Sequence, residues 1–447
     1  MPESQLTSTP VTTSNTSNDP SSPGYSRRDL PVSHMAENLV GSEIIKLAGE
    51  VKARIAKGEK VHNLTIGDFD PAIFPIPDGF TDRIVAAYRR GETNYPAANG
   101  MPALRESISA FLRRRQGLNY TPEQVLVSGG ARPLIYAAYQ TVVDPQDKVI
   151  FPVPSWNNNH YTHLSAANGV FVETTPESAF MPTAELLAPH LEGATLLALC
   201  SPLNPTGTAF SASALEAICD LVLEENARRG ENEKPLYVLY DQIYWNLVYG
   251  KTEHVDPVSL RPDMRHYTIF IDGMSKAFAA TGVRVGWGFG PDKVIQKMRS
   301  ILSHVGAWSP KAEQVAAAEF LADEEMTDAA IDHVKAGVQE RLHGYYKGFK
   351  KLQEDGFPVE AIAPQGALYL TVKFDLVGKE TPDGKRLESI IDVTGYLLEK
   401  GHTALVPFSA FGASSESPWY RLSVGTTAKE QVDEVIYDIH MALKQLR

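Results

Sequence analysis

The middle of this chain is punctuated by short apolar runs without polar alternation. They are Val125-Leu126-Val127, Lys148-Val149-Ile150-Phe151, Thr195-Leu196-Leu197-Ala198-Leu199, Leu236-Tyr237-Val238-Leu239-Tyr240 and Tyr267-Thr268-Ile269-Phe270-Ile271. Strands apolar on both sides are strands buried on both faces, and helical periodicity separates these runs. The pattern predicts an α/β fold with a mostly parallel sheet between helices. Between the third and fourth runs a helix is expected near Ser213, with Glu216 completing a capping box and Leu215, Ile218, Cys219 and Val222 along its buried face. From about Pro310, long helical patterns surround a few strands, which predicts a smaller α+β domain. Its closing helix is expected to begin at Thr427, with Glu430 as capping partner and Val432, Val435, Ile436 and Ile439 facing inward.

Toward the N-terminus, Leu39, Ile44, Ile45, Leu47, Ala48 and Val51 give a helical face ending at Gly58, and Pro71 to Pro77 reads as an extended connector. The expected division is a tail at 1–30, an N-terminal arm and helix joining the small domain at 31–75, a large cofactor-binding domain at 76–309 and a small domain at 310–447. The tail is Ser, Thr, Pro and Asn with few large apolar side chains, too little to offset its ordering entropy, so it is read as disordered. It has no apolar core resembling a secretory signal.

Composition narrows the partners. A net charge of -12 argues against nucleic acid, whose phosphates need clustered cations. No apolar run approaches the length that spans a membrane. Two cysteines, Cys200 and Cys219, in apolar surroundings fit a reducing cytoplasm.

The candidate chemistry lies where the predicted strands end, the edge at which open α/β sheets bind ligands. Val125 to Val127 leads into Ser128-Gly129-Gly130-Ala131-Arg132 and a helix, whose first amides suit an anion. The second run leads to Trp156, a flat ring that either stacks on a ligand or caps the core. The third leads to Asn204, fixed between Pro202 and Pro205 and so aimed with little freedom. The fourth ends at Asp241, with Tyr244 on the following turn; a carboxylate there needs a partner, either a protonated pyridine nitrogen or a buried cation. The fifth leads to Ser275-Lys276, with Arg284 eight residues beyond the lysine. A lysine kept from water can form a Schiff base, and arginine grips phosphate with two N–H groups. Together these parts match pyridoxal 5'-phosphate. No metal site is expected: the chain contains no H-E-x-x-H, nor a phosphate-loop or dinucleotide motif.

Asn204-Pro205-Thr206-Gly207, Asp241-x-x-Tyr244, Ser275-Lys276 with Arg284, and Tyr420-Arg421-Leu422-Ser423 together resemble the class I/II aminotransferases of pyridoxal-phosphate fold type I, the aspartate aminotransferase family. The likeness runs from about Met35 to Arg447. It implies that Lys276 carries the cofactor as a Schiff base and shuttles the proton at substrate Cα. It implies that Asp241 keeps the pyridine nitrogen protonated, and that Asn204 and Tyr244 bind the ring oxygen. Ser275, Arg284 and the amides near Gly130, Ala131 and Arg132 would hold the phosphate, with Trp156 stacked on the ring. Arg421 and Gly67, with Trp156 and Asn204, would bind the substrate. Tyr95 resembles a tyrosine that reaches the neighbouring subunit's phosphate, so a homodimer with shared sites is implied.

The implied activity is transfer of the amino group of an L-amino acid, aspartate/glutamate or aromatic, to a 2-oxo acid by a ping-pong route. A lyase or decarboxylase of the same fold, and a non-catalytic regulatory module, are the alternatives. Several positions depart from the family pattern: Gln242 follows Asp241, Leu368 replaces an aromatic, Asn159 lies where some relatives place a histidine, and Ala131 replaces a hydroxyl residue or lysine. Arg132, one position on, is either a substitute for that lysine or a surface arginine.

Overall fold

The computed structural model describes residues 32–39, 41, 43–230 and 233–447, with the backbone alone at 43–46. The expected tail at 1–30 lies outside them. Met1–Asn38 and Leu39–Arg447 are separate units. In the first, Ser33 Oγ accepts from the Ala36 N–H at 3.2 Å and caps one helical turn, His34–Glu37. In the second, a longer helix spans Glu43–Ala56 and stops before Gly58, whose φ of +82° only glycine adopts freely. Of the helical face expected from Leu39 to Gly58, Leu39 falls outside this helix.

The chain then forms β1 (His62–Asn63) and enters a helical and strand-rich body: β2 (Val125–Ser128), β3 (Lys148–Val153), β4 (Asn168–Glu173), β5 (Ala194–Cys200), β6 (Tyr237–Asp241), β7 (Thr268–Gly273) and β8 (Gly286–Phe289). These last seven make one sheet in the order β2-β8-β7-β6-β5-β3-β4. All pairings are parallel except the two made by β8. Successive strand residues point to opposite faces, and each face has its own buried cluster. Leu197, Val238, Phe270 and Phe289 pack with Leu104, Ile108, Leu215 and Ile218 on one side. Leu196, Leu239, Ile269 and Ile271 pack with Leu134, Ala138, Val294 and Met298 on the other. Burying each Leu, Ile or Val contributes about 1.5–3 kcal/mol, so both helical layers are held firmly.

Two strands escape the apolar-run pattern. β4 is the outer strand and is mostly exposed, so it need not be apolar. β8 contains Gly286 and Gly288, which break the run.

A smaller sheet forms from β9 (Val359–Ala361), β10 (Tyr369–Phe374), β12 (Val406–Pro407) and β13 (Trp419–Ser423), in the order β12-β13-β10-β9 and entirely antiparallel. The remaining β11 (Thr403–Ala404) pairs in parallel with β1. That arm is also tied by charge: Lys60 Nζ lies 2.7 Å from both Glu434 and Asp438, and His62 Nε2 lies 2.8 Å from Asp438. The helix Lys311–Leu321 gives Ala316, Ala317 and Phe320 to the large sheet's cluster. Within the next helix, Glu324–Glu354, Ala330 and Ile331 still belong to that cluster, while Val334, Val338 and Leu342 pack in the small sheet's cluster. Among the described residues no helix is long and apolar enough to cross a membrane.

Two helix starts differ from expectation. The helix Ala212–Arg228 is capped by Ser211, whose Oγ accepts from Ala214 N–H at 3.2 Å, and not by Ser213; Glu216 pairs with Arg261 instead. The closing helix Val432–Leu443 follows a 3-10 turn, and Gln431 Oε1 accepts from the Ala428 N–H at 3.1 Å in place of the expected Thr427 and Glu430 pairing. Both shifts arise because several neighbouring polar residues can cap and only backbone geometry selects one. Ser211→Ala is accordingly expected to lose about 1 kcal/mol of stability in denaturant unfolding, and Ser213→Ala less than about 0.5 kcal/mol.

Candidate active site

The strands β2, β5, β6 and β7 end at one edge of the sheet, where the last residues of β5 and β6 and the segments that follow β2 and β7 line a cavity of about 660 Å³. The antiparallel β8 starts at that same edge. The segment between β7 and β8 therefore leaves and returns at one place, which is how residues 276 and 284 come to face each other across it. Of the residues singled out in the sequence, Gly67, Ala131, Arg132, Trp156, Asn204, Asp241, Tyr244, Ser275, Lys276, Arg284 and Arg421 line the cavity.

Lys276 stands on the short turn Met274–Ala277, and its Nζ donates to Gly67 O at 2.6 Å. Burial lowers its pKa to about 8; Asp68 opposes this, while Arg421, Arg132 and Arg284 reinforce it. Asp241 is pushed up to about 6 by burial, against the Ile243 N–H that its Oδ1 accepts at 3.1 Å and against the Lys276 charge.

Arg284 has φ +59°, a left-handed conformation that costs a non-glycine residue on the order of 1 kcal/mol. Its guanidinium donates to Thr281 O at 2.6 Å and Gly129 O at 2.8 Å. A Cβ on Gly130 would collide with this guanidinium, so the Gly-Gly turn is what admits it. The Gly129 and Gly130 N–H groups are bonded to Ala307 O and Ser128 O. The open amides of the cradle are therefore those of the first helical turn, at Ala131 and Arg132.

Arg421 is 1% exposed. Its Nη1 donates to Asn204 Oδ1 at 3.0 Å and its Nη2 to Thr65 O at 2.6 Å, while Nε has no partner among the described residues. The rings of Tyr369 and Phe411 lie 4.6 and 4.8 Å from its guanidinium carbon. Because Asn204 spends its oxygen on Arg421, its amide N–H₂ remains free to donate. Arg132 sits with its guanidinium carbon 5.3 Å from the Trp156 ring and pairs with no carboxylate among the described residues.

Tyr95 is placed apart from the cavity of its own chain, 82% exposed and edge-on to Trp308 at 5.3 Å. Asn159 is exposed, and its neighbour Asn158 lines the cavity instead, accepting from Tyr139 Oη at 3.1 Å. Gln242 turns away from the cavity toward Gln116 and His254.

Sequence reasoning missed Thr65, Asp68, Cys200 and Tyr369, which also line the cavity. Tyr369, whose hydroxyl lies 2.7 Å from that of Tyr244, is a strand residue in an apolar run and reads as core. A second cavity of about 490 Å³, lined by Lys52, His62, Asp70 and Gln431, shares Ile66 and Asp68 with the first but contains neither Lys276 nor an arginine.

The cavity thus combines a lysine of lowered pKa, a glycine-gated arginine beside free helix amides, an orphaned Arg421 N–H and a buried carboxylate. These groups fit pyridoxal phosphate and an amino acid. Fold and site define a pyridoxal-phosphate protein of fold type I. The profile of the family described as aminotransferase class I and II matches residues 59–439, and the chain belongs to this family.

The aspartate aminotransferase of Rhizobium meliloti strain 1021 is 30% identical over 396 residues, covering 87% of this chain and 90% of that protein. A probable aspartate/prephenate aminotransferase of Rhizobium leguminosarum bv. phaseoli is 32% identical over 402 residues, covering 88% and 94%. The crystal structure of the Rhizobium meliloti aspartate aminotransferase superposes with a TM-score of 0.85 at 29% identity, covering 94% and 100%. The protein is a pyridoxal-phosphate-dependent transaminase acting on amino acids and 2-oxo acids.

A pKa of about 8 makes the Lys276 amine increasingly free as pH rises through that value. In apoprotein, labelling of Lys276 by a small acylating reagent, followed by peptide mass mapping, should rise about tenfold per pH unit below 8 and level off above it. Exposed lysines should keep rising toward about 10.4.

Proposed function

We propose that this transaminase takes acidic L-amino acids, of the aspartate and glutamate type, by a ping-pong route, and that Lys276 is its proton carrier. The observation that carries the proposal is the set of cations around one cavity. Arg284 with the Ala131 and Arg132 amides suits a phosphate, Arg421 suits an α-carboxylate, and the Arg132 guanidinium is left over, with no carboxylate partner among the described residues. A surplus cation is what a second substrate carboxylate would require. The relatives named aspartate aminotransferase support this reading.

When bound, pyridoxal phosphate supplies an aldehyde carbon and an electron-accepting ring. Lys276, freed as an amine, takes a proton from substrate Cα and returns it on the other side of the transfer; its pKa of about 8 suits a base working near neutrality. Asp241 accepts from a ring N–H and holds that proton in place. The Asn204 amide and the Tyr244 hydroxyl would donate to the ring oxygen, the Trp156 ring would stack on the cofactor, and Ser275 would join the phosphate contacts. Arg421 grips the α-carboxylate with Gly67 close by, where a side chain would collide with the Tyr369 hydroxyl.

We also infer a homodimer, in which the exposed Tyr95 reaches the partner's site, and a cytoplasmic location, consistent with free Cys200 and Cys219.

Cofactor-loaded protein mixed with single amino acids and no acceptor tests the reading by absorbance. Aspartate and glutamate should convert the cofactor stoichiometrically to its amine form; release of ammonia or carbon dioxide instead would contradict it. Lys276→Ala should slow this half-reaction at least about a hundredfold. Arg132→Ala should lower kcat/KM for aspartate and glutamate by about 10- to 100-fold, the loss of a charged hydrogen-bond pair, and change aromatic donors less than about threefold. Equal losses across donors would remove Arg132 from substrate selection.

A further inference from the structure

Tyr369 joins the two ends of the cavity, yet none of the roles above falls to it. Its ring is buried, at 1% exposure, and its position is set by strand register. β10 pairs with β13 so that Thr371 faces Arg421 and Tyr369 faces Ser423. Tyr369 and Arg421 are thereby diagonal neighbours on one face, within reach of a long side chain and a ring. The start of β10 is also tied down from below. Thr371 Oγ1 donates to Thr206 O at 2.7 Å, and the Gly366 N–H donates to Gly207 O at 2.9 Å, next to Asn204.

The Tyr369 hydroxyl lies 2.7 Å from that of Tyr244, and the two rings meet edge to face at 5.7 Å. Two phenols at that distance share one hydrogen bond but carry two protons, so the donor in the pair decides which proton remains free. The Arg421 guanidinium lies over the Tyr369 ring at 4.6 Å, and a cation there makes Tyr369 the better donor. The proton left free is then the one on Tyr244. Gly67 makes room for this arrangement: a Cβ there would lie 2.6 Å from Tyr369 Oη and 3.5 Å from Arg421 Nη1.

We propose that Tyr369 is a positioning residue: its hydroxyl donates to Tyr244 and aims the Tyr244 proton into the cavity at the cofactor's ring oxygen, while its ring braces Arg421 for the substrate carboxylate. This rests on the placement of Tyr244 and Arg421 proposed above. It divides one side chain into two separable tasks, with the hydroxyl acting on the cofactor and the ring on substrate binding.

The test uses cofactor-loaded protein and two readouts besides turnover: the pH midpoint of the cofactor absorbance, and binding of succinate as a non-reacting dicarboxylate. Tyr369→Phe keeps the ring and should raise the absorbance midpoint by about 0.5–1 pH unit, because a Tyr244 hydroxyl no longer polarised and aimed by Tyr369 donates less strongly and the ring oxygen then holds a proton more tightly. Succinate affinity in that variant should stay within about twofold. Tyr369→Leu removes the ring and should also weaken succinate about fivefold. Tyr244→Phe should move the midpoint in the same direction, and adding Tyr369→Phe to it should produce no further shift, since one acts through the other. Thermal unfolding within a few degrees of the parent shows that each variant is folded. A midpoint unmoved in Tyr369→Phe but moved in Tyr244→Phe overturns the Tyr369 role alone. A midpoint unmoved in both overturns the Tyr244 placement together with it, and additive shifts overturn the link between them.

Discussion

Lys276, Arg132, Arg284 and Arg421 surround one cavity, and the fold must hold these cations together against their mutual repulsion and the loss of water. Two unit charges 6 Å apart repel by about 3 kcal/mol at an effective dielectric of ~20. The protein offsets this with carbonyl oxygens and rings more than with carboxylates. Gly67 O receives Lys276, Thr65 O receives Arg421, and Thr281 O and Gly129 O receive Arg284. Tyr369 and Phe411 flank Arg421, and Trp156 lies beside Arg132. Dipoles and ring faces stabilise a cation without cancelling its charge. The cavity consequently keeps a positive field, which selects phosphate and carboxylates as its occupants. The same field, added to burial, holds the Lys276 amine near pH 8.

Three distant parts of the chain must meet for this to work, and the connections are short where they matter. β7 and β8 run antiparallel side by side, so the turn between them returns Arg284 to the edge from which Lys276 leaves. Gly130 removes the side chain that would block the arginine. Residues 65–68 arrive from the arm, where β1 is pinned to β11 and Ser423 Oγ donates to Ile66 O at 2.6 Å. β10 and β13 bring Tyr369 and Arg421 from the small sheet. Residues 65–68 thus reach the cavity from the arm, Tyr369 and Arg421 from the small sheet, and Asn204, Asp241 and Lys276 from the edge of the large sheet.

Much of this was legible in the chain. Apolar runs such as Leu196-Leu197-Ala198-Leu199 identify strands buried on both faces, because burial on two sides removes the alternation that water would impose. Asp241 at the end of β6, and Asn204 and Lys276 just beyond β5 and β7, are polar groups that apolar strands would not present without a partner. β4 was illegible because an edge strand is free to be polar, and β8 because its glycines serve close approach instead of apolar packing. The choice of Ser211 over Ser213 as a cap was equally hidden, since either hydroxyl could serve.

The sequence by itself determined the layered sheet, the helical coverings and the chemical kinds of group at the sheet's edge, since these follow from local periodicity and from residue type. Only the tertiary structure decided which groups touch. Strand register set Tyr369 beneath Arg421 and its hydroxyl against Tyr244; the helix after Trp156 turned Asn158, and not Asn159, into the cavity; and the Arg132 guanidinium came to lie beside Trp156 without an acidic partner among the described residues. Each of these depends on distances between residues far apart in sequence, and a pattern along one dimension carries no such distances.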